Sequence, residues 1–308
     1  MSMRKLTKSE RTRRKEKIVS FIILSMVCVI WLVPLLYMFG NAFRTGSDFT
    51  ENPGQLFPSS WEDWTLQNFE NLFIRDGKID KMPLWLLNSL WSTVATVVLT
   101  LVMDLMTAYA LVFVNFKGRN FMQSFLTYWM AVPGIIGTAS QYTMYSQIKN
   151  MITSSSASFD YMYLYFWMIV PALTGIFNLL LMRNFLKSIP KDIIESARCD
   201  GVNDGKIFWK IILPLARSTI MLIVLFTCTA SWNNLRWPQM LMNGLSGDGQ
   251  YWYTVTVGLI ANTTVDNAEN AMVQAMAAGV FAVLPILIVF TFTQNKMIEG
   301  VASTGVKG

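Results

Sequence analysis

The sequence predicts an all-α integral membrane protein with six spanning helices and both termini on the inner side. Several apolar runs reach about 20 residues, the length needed to cross a bilayer core. The chain is 53% hydrophobic and 14% charged, whereas soluble domains carry about 25% charged residues. Lys and Arg also gather in alternate connecting segments, the bias that sets membrane orientation.

The six spans fall at roughly 18–39, 88–113, 121–146, 161–185, 215–237 and 271–294. A basic cytoplasmic head, residues 1–17, comes first and carries eight Lys/Arg against Glu10 and Glu16. The apolar run behind it is too long for a signal peptide and has no clear small-residue cleavage site, so it reads as an uncleaved first helix. The membrane domain covers 18–294 and includes an inner loop at 186–214, and residues 295–308 form a cytoplasmic tail. Inner segments carry most of the Lys and Arg. The outer ones hold only Arg44, Arg75, Lys78, Lys81 and Lys149.

The first outer loop, 40–87, has turn signals at Asn52-Pro53-Gly54 and Phe57-Pro58, and Leu66–Phe73 suits a short amphipathic helix. Trp61, Trp64, Trp85, Tyr251, Trp252 and Tyr253 cluster near outer boundaries, as interfacial anchors do. Ser154–Ser158 reads as a polar loop.

Some functions are excluded early. Histidine is absent, and Cys28, Cys199 and Cys228 are scattered, so neither a metal site nor a disulfide framework can be assembled. No nucleophile–base pair suggests an enzyme. The net charge of +6 follows membrane orientation and does not indicate a nucleic-acid partner.

Within the second span, Ser89, Thr93, Thr96, Thr100, Asp104 and Thr107 recur at steps of three and four, on one helical face. Such a face either packs helices through small hydroxyl residues or lines a pathway. Asp104 stands out, because a carboxylate at membrane depth costs about 2.5–3.5 kcal/mol on insertion scales. It either satisfies a structural hydrogen bond, lines a cavity or takes up a proton. Pro34, Pro133, Pro171 and Pro285 interrupt spans, and Pro133-Gly134 breaks the third near its middle. Such breaks are static kinks or bends around a cavity. In the fifth span, Trp232-Asn233-Asn234 sets an indole beside two amides. That chemistry suits a carbohydrate path, and it equally suits an interfacial anchor.

The inner loop carries the sharpest signal. Pro190 fits the first turn of a short helix, with Asp192 favourable near its positive end. Ile189, Ile193, Ile194 and Ala197 form an apolar stripe, Gly201 permits a sharp turn, and Ile207, Phe208, Ile211 and Ile212 mark a second helix before Leu213-Pro214. This helix–Gly–helix unit either docks a partner through Glu195 and an apolar ridge, or rests on the lipid surface.

The same residues resemble the EAA loop of ABC importer permeases: Glu195-Ser196-Ala197, then Gly201, then Ile211-Ile212-Leu213-Pro214, with Ser196 replacing the usual alanine. The similarity covers nearly the whole chain. Asn88-Ser89, Ala108-Tyr109-Ala110-Leu111, Trp232–Pro238, Thr256-Val257-Gly258-Leu259 and the tail Gly300–Gly308 are similar to the carbohydrate-uptake branch, which includes the maltose permeases. Leu235, Arg236 and Gln239 depart from that branch.

The resemblance implies a type I importer half-channel in a prokaryotic inner or cytoplasmic membrane. Its partners would be a second permease subunit, two cytoplasmic ABC ATPase subunits and an extracellular substrate-binding protein that delivers an oligosaccharide. Glu195, Ser196, Ala197, Gly201, Ile211, Leu213 and Pro214 would couple to the ATPase, and Gly305–Gly308 would reach toward it. Trp232, Asn233, Asn234 and Asp104 are the substrate-path candidates. The chain has no phosphate-binding loop of its own, since Gly201–Ile207 lacks the required spacing. ATP and Mg2+ would therefore belong to the partner ATPase. The opposing reading is a self-contained proton-coupled transporter that uses Asp104. It would call for more buried acids and two matching halves.

Overall fold

The computed structural model describes residues 8–75, 78–152, 157–243, 245, 247–262 and 268–305. Fifteen helices are named along them. They begin with α1 (Lys8–Asn41), α2 (Gly46–Glu51), α3 (Gln67–Phe73), α4 (Met82–Phe113), α5 (Arg119–Trp129), α6 (Ile135–Met151), α7 (Ala157–Ile169) and α8 (Ile176–Ser188). They continue with α9 (Lys191–Cys199), α10 (Asp204–Ile207), α11 (Leu213–Leu215), α12 (Arg217–Trp232), α13 (Arg236–Met242), α14 (Val255–Asn262) and α15 (Ala268–Gly305). The all-α expectation holds apart from a two-residue hairpin, in which β1 (Ile74–Arg75) pairs antiparallel with β2 (Lys78–Ile79).

Among the described residues, three helical stretches are long and apolar enough to cross a membrane: Arg14–Asn41, Met82–Phe113 and Asn270–Asn295. Two bent pairs raise the number to five if each is one span: Ser158–Leu173 with Ile176–Ser188, bent by 44°, and Asp204–Leu215 with Arg217–Trp232, bent by 74°. The expected third span is divided into α5 and α6, with the break at Met130–Gly134. Pro133 has no N–H and disfavours helical backbone in the residue before it, so the helix stops there. Pro171 breaks the α7–α8 pair in a 3₁₀ turn, Val170–Thr174. The carbonyl four residues before it, on Trp167, accepts the Trp237 indole N–H at 2.8 Å. Pro34 and Pro285 lie inside helices that continue through them. α15 runs on through 295–305, where a tail was expected. Residues 306–308, 1–7 and 153–156 lie outside the described residues, and with them the expected tail end Val306–Gly308, the first part of the basic head and Ser154–Ser156 of the expected polar loop.

The chain divides into two compact units. The first comprises residues 1–80 and 262–281. Apolar side chains of α1 are exposed nearly all round, as on a lipid-facing helix. Just past its C-terminal end, the fully buried Arg44 pairs with Asp48, Nε to Oδ2 at 2.6 Å, and donates to Asn41 Oδ1 and to the Asp48 carbonyl. The sequence marked Arg44 only as an outer charge. Phe69 and Phe73 of α3 meet Phe281 edge-on at 5.8 and 5.1 Å.

The second unit comprises residues 81–261 and 282–308. Its centre is α4, packed against α8 and α12. The hydroxyl face is the packed one: Ser89, Thr93, Thr96, Thr100 and Asp104 are all buried, and Thr107 is half-buried. Two expected anchors prove to be packing residues. Trp85 is 2% exposed, and its indole donates to the Gln250 carbonyl at 2.8 Å. Tyr253 is buried against it, ring centroids 6.2 Å apart. The polar tip of each ring found an internal partner, Tyr253 at the Leu245 carbonyl, so neither needs the interface. Trp61 is 90% exposed and Trp64 44%, as anchors are.

Candidate functional site

The inner segment between α8 and α12 folds as its sequence dictates. Pro190 caps α9 from outside, and Asp192 sits in the first turn. The helix then ends in a Schellman turn. The Val202 N–H donates to Ala197 O and the Gly201 N–H to Arg198 O, both at 3.0 Å. Gly201 holds φ at +75°, the left-handed region that favours glycine. Asn203 caps the next helix, its side chain accepting from the Lys206 N–H at 2.9 Å. An exposed ion pair, Arg198 to Asp204 at 3.0 Å, spans the turn. Leu213 donates its N–H to the Phe208 carbonyl five residues back, making a π-helical turn just before Pro214.

The apolar stripe is divided between two faces. Ile189, Ile194 and Ala197 turn inward with Ile207 and Ile212 onto Leu105, Ala108, Met182 and Ile223. Ile193 is left exposed beside Glu195 and Ser196. The ridge expected to meet a partner is thus mostly spent anchoring the segment to α4, α8 and α12. Helix α9 presents Ile193 and a carboxylate outward, and the alanine-to-serine departure at 196 falls where packing is unaffected. Ile211 and Leu213 are half-buried and Pro214 is exposed.

A cavity of about 370 Å³ opens among α4, α8 and α12. Ser89, Ser92 and Thr96 of α4 line it, with Asn178, Thr227, Ser231 and Asn234. Several of these groups are already engaged. Asn178 donates to Thr227 Oγ1 at 2.9 Å, Ser89 Oγ accepts from the Val255 N–H at 2.8 Å, and Ser92 and Thr96 donate to their own helix. Phe177 and Phe226 form its aromatic wall, ring centroids 5.8 Å apart and both partly exposed.

The Trp232-Asn233-Asn234 triplet is separated. Trp232 is 3% exposed, donates to the Ala282 carbonyl at 2.8 Å and does not line the cavity. Asn233 is exposed at the end of α12. Asn234 lines the cavity, and its carbonyl accepts from Thr256 Oγ1. Asp104 lies elsewhere, on a second cavity of about 340 Å³ among α4, α5 and α8. Sequence reasoning missed Asn178, Thr227 and Ser231, although an amide in an apolar run and a Thr–Ser pair four residues apart were visible signals. The Phe177–Phe226 pair had no signal, because its partners are far apart in the chain. Among the described residues no cluster of metal-ligating side chains occurs.

The family model described as "Binding-protein-dependent transport system inner membrane component" matches residues 105–299. The permease protein DasC of a diacetylchitobiose uptake system in Streptomyces coelicolor is 31% identical, over 92% of this chain and 95% of its own. The permease protein AraQ of an arabinooligosaccharide transport system in Halalkalibacterium halodurans is 28% identical, covering 92% and 94%. A solved bacterial ABC transporter structure, involved in import of the acidic polysaccharide alginate, shares the fold. It has a TM-score of 0.72 and 22% identity, and the match covers 95% of this chain and 99% of that one. The matched region contains the whole Schellman-turned segment with its outward carboxylate, and the chain belongs to the family of inner-membrane components of binding-protein-dependent transport systems.

Proposed function

We propose that this chain is the permease subunit of an ATP-driven importer for a carbohydrate of the oligosaccharide class. The observation that carries the reading is α9. It is fixed from within by Ile194 and Ala197, locked by the Gly201 turn, and presents Glu195 outward while packing on the helices α4, α8 and α12 that line the cavity. A rigidly mounted helix with an exposed carboxylate can pass a push from a partner to α4 and α12 without bending. Relatives named for arabinooligosaccharide and diacetylchitobiose transport support the cargo class.

In this reading the chain crosses the membrane six times, α5 and α6 together making the third crossing, with both termini inside as the Lys/Arg bias favours. A second permease completes the pore, two ATPase subunits hold ATP and Mg2+, one of them docking on this chain at the segment marked by Glu195, Ser196, Ala197, Gly201, Ile211, Leu213 and Pro214, and an extracellular binding protein delivers the sugar. The cavity chemistry fits that cargo: hydroxyl and amide groups can bond sugar hydroxyls, and Phe177 and Phe226 offer ring faces. Asn234 is the member of the predicted triplet that serves here. The test is uptake by proteoliposomes holding the full complex. Uptake should require ATP, and Glu195→Lys should abolish it at normal assembly. Uptake by this chain alone on a proton gradient would instead establish the proton-coupled alternative.

A further inference from the structure

The cavity at Asp104 differs in chemistry from the one above it. Asp104 is 4% exposed, and its Oδ2 has no hydrogen-bond partner. One turn back, the buried Thr100 Oγ1 is also without a partner. The two ion pairs found among the described residues are Arg44–Asp48 and Arg198–Asp204, so none neutralises this carboxylate. Apart from the Thr107 hydroxyl, the rest of the cavity lining is apolar and aromatic, with Phe125 and Trp129 of α5 forming an open wall, ring centroids 5.7 Å apart. Its floor adjoins Gly175, at the break between the 3₁₀ turn and α8. The nearest cation along α8 is Arg183, one turn beyond the lining residue Leu179; it donates to Gln123 Oε1 at 2.7 Å and to Asn184 Oδ1 at 3.3 Å, its buried Nε has no partner, and it forms no ion pair with Asp104.

A buried carboxylate without a partner is stabilised only by a proton, a hydrogen-bond donor or a cation. Two aromatic faces beside it narrow the choice, since ring faces attract ammonium groups within about 6 Å. A metal ion would want more oxygen ligands than one carboxylate and two hydroxyls. A uronate would meet like charge.

We propose that the Asp104 cavity is a subsite for an ammonium group, held by the Asp104 carboxylate and flanked on one side by the Phe125 and Trp129 rings. The group has two possible sources, an amino sugar in the cargo or a free small amine, and the cargo source rests on the permease reading above. Gly175 lines both cavities, so the two adjoin at the start of α8.

Calorimetry on the assembled complex, without ATP, tests this with three probes: a β-1,4-linked glucosamine disaccharide, its N-acetylated form and methylammonium. The free-amine disaccharide should bind at least about tenfold tighter than the acetylated one, the factor that about 1.4 kcal/mol of charge pairing gives. Asp104→Asn should remove that difference. Methylammonium binding that depends on Asp104, with no preference between the disaccharides, would assign the site to a free amine. Should Asp104→Asn not assemble, Trp129→Leu carries the test, weakening the amine probe by about threefold, as loss of one exposed cation–π contact would. Amine binding that is absent, or indifferent to both variants, overturns the proposal; Arg183 swinging onto Asp104 would produce the first result. A complex whose ATPase answers to no sugar would overturn the permease reading without touching the calorimetric result.

Discussion

Tyr109 of α4 and Phe208 of the inner segment meet edge-to-face, ring centroids 5.6 Å apart with their planes at 89°. The contact joins the segment between α8 and α12 to the helix that lines both cavities. Such aromatic pairs contribute about 0.5–1.5 kcal/mol beyond their burial. Phe208→Ala should therefore destabilise the segment by about 3 kcal/mol, including the void it leaves. Cargo-stimulated ATP hydrolysis should fall while basal hydrolysis persists, and Phe208→Leu should recover part of it. Unchanged stimulation in Phe208→Ala would mean that movement passes by another route.

At Gly201, conformation and space make different demands. The left-handed backbone disfavours any side chain, yet an added Cβ would meet nothing within 4 Å. Gly201→Ala should cost only about 1 kcal/mol and retain most uptake. Gly201→Val adds β-branching at positive φ and should cost more, with coupling lost. Equal behaviour of the two variants, in uptake and in thermal midpoint, would remove backbone strain as the reason for glycine.

These positions show what the sequence could and could not reveal. Gly201 and the buried face of α4 were legible because both follow from local rules, a turn needing glycine and a helical period. The break between α5 and α6 at Pro133-Gly134 was legible for the same reason. Trp85 and Tyr253 were misread as anchors, because an aromatic at a membrane boundary has the same composition whether it faces lipid or Gln250. Trp232 was chosen for the sugar path by side-chain type, but only tertiary packing shows its indole tied to Ala282. The ring pair that does line the cavity, Phe177 and Phe226, depends on two helices meeting, which no local window contains.

Gly258 is fixed by space. A Cβ there would lie 2.2 Å from Trp85 Cε3, and Trp85 is held by the Gln250 carbonyl. Gly258→Ala should destabilise the protein by about 1–3 kcal/mol through overpacking. Trp85→Leu should relieve the clash, so the double variant should melt above Gly258→Ala alone. Additive losses would show that the close approach is not the cause.

The outer Arg44–Asp48 pair predicts an acid sensitivity. Arg44 and the Ser59 hydrogen bonds hold the Asp48 carboxyl at about 2, below its ordinary 3.8. The folded value is the depressed one, so its stabilisation is complete above about pH 4 and lost as pH falls through about 2. Asp48→Ala, which strands a buried guanidinium, should cost about 3–5 kcal/mol at neutral pH. Its unfolding midpoint should then change less between pH 4 and 2 than that of the wild type. A parallel decline in both would show that Asp48 does not carry the acid sensitivity.

Asp104→Asn separates the two transport mechanisms. Burying the carboxylate costs about 2.5–3.5 kcal/mol at membrane depth, and an amide lowers that cost without changing the shape. Insertion and assembly should therefore be at least as good as in the wild type. If ATP drives transport, uptake of a neutral oligosaccharide should stay within about twofold, since an ammonium subsite contributes no binding to a neutral sugar. A carrier needing Asp104 to load a proton would lose all uptake, because an amide cannot titrate. The measurement is initial uptake by proteoliposomes with ATP inside and no pH gradient, beside ATPase activity from the same preparation. Intact hydrolysis with no uptake would make Asp104 part of the translocation step for every cargo, and the ammonium subsite would then be too narrow a description of it.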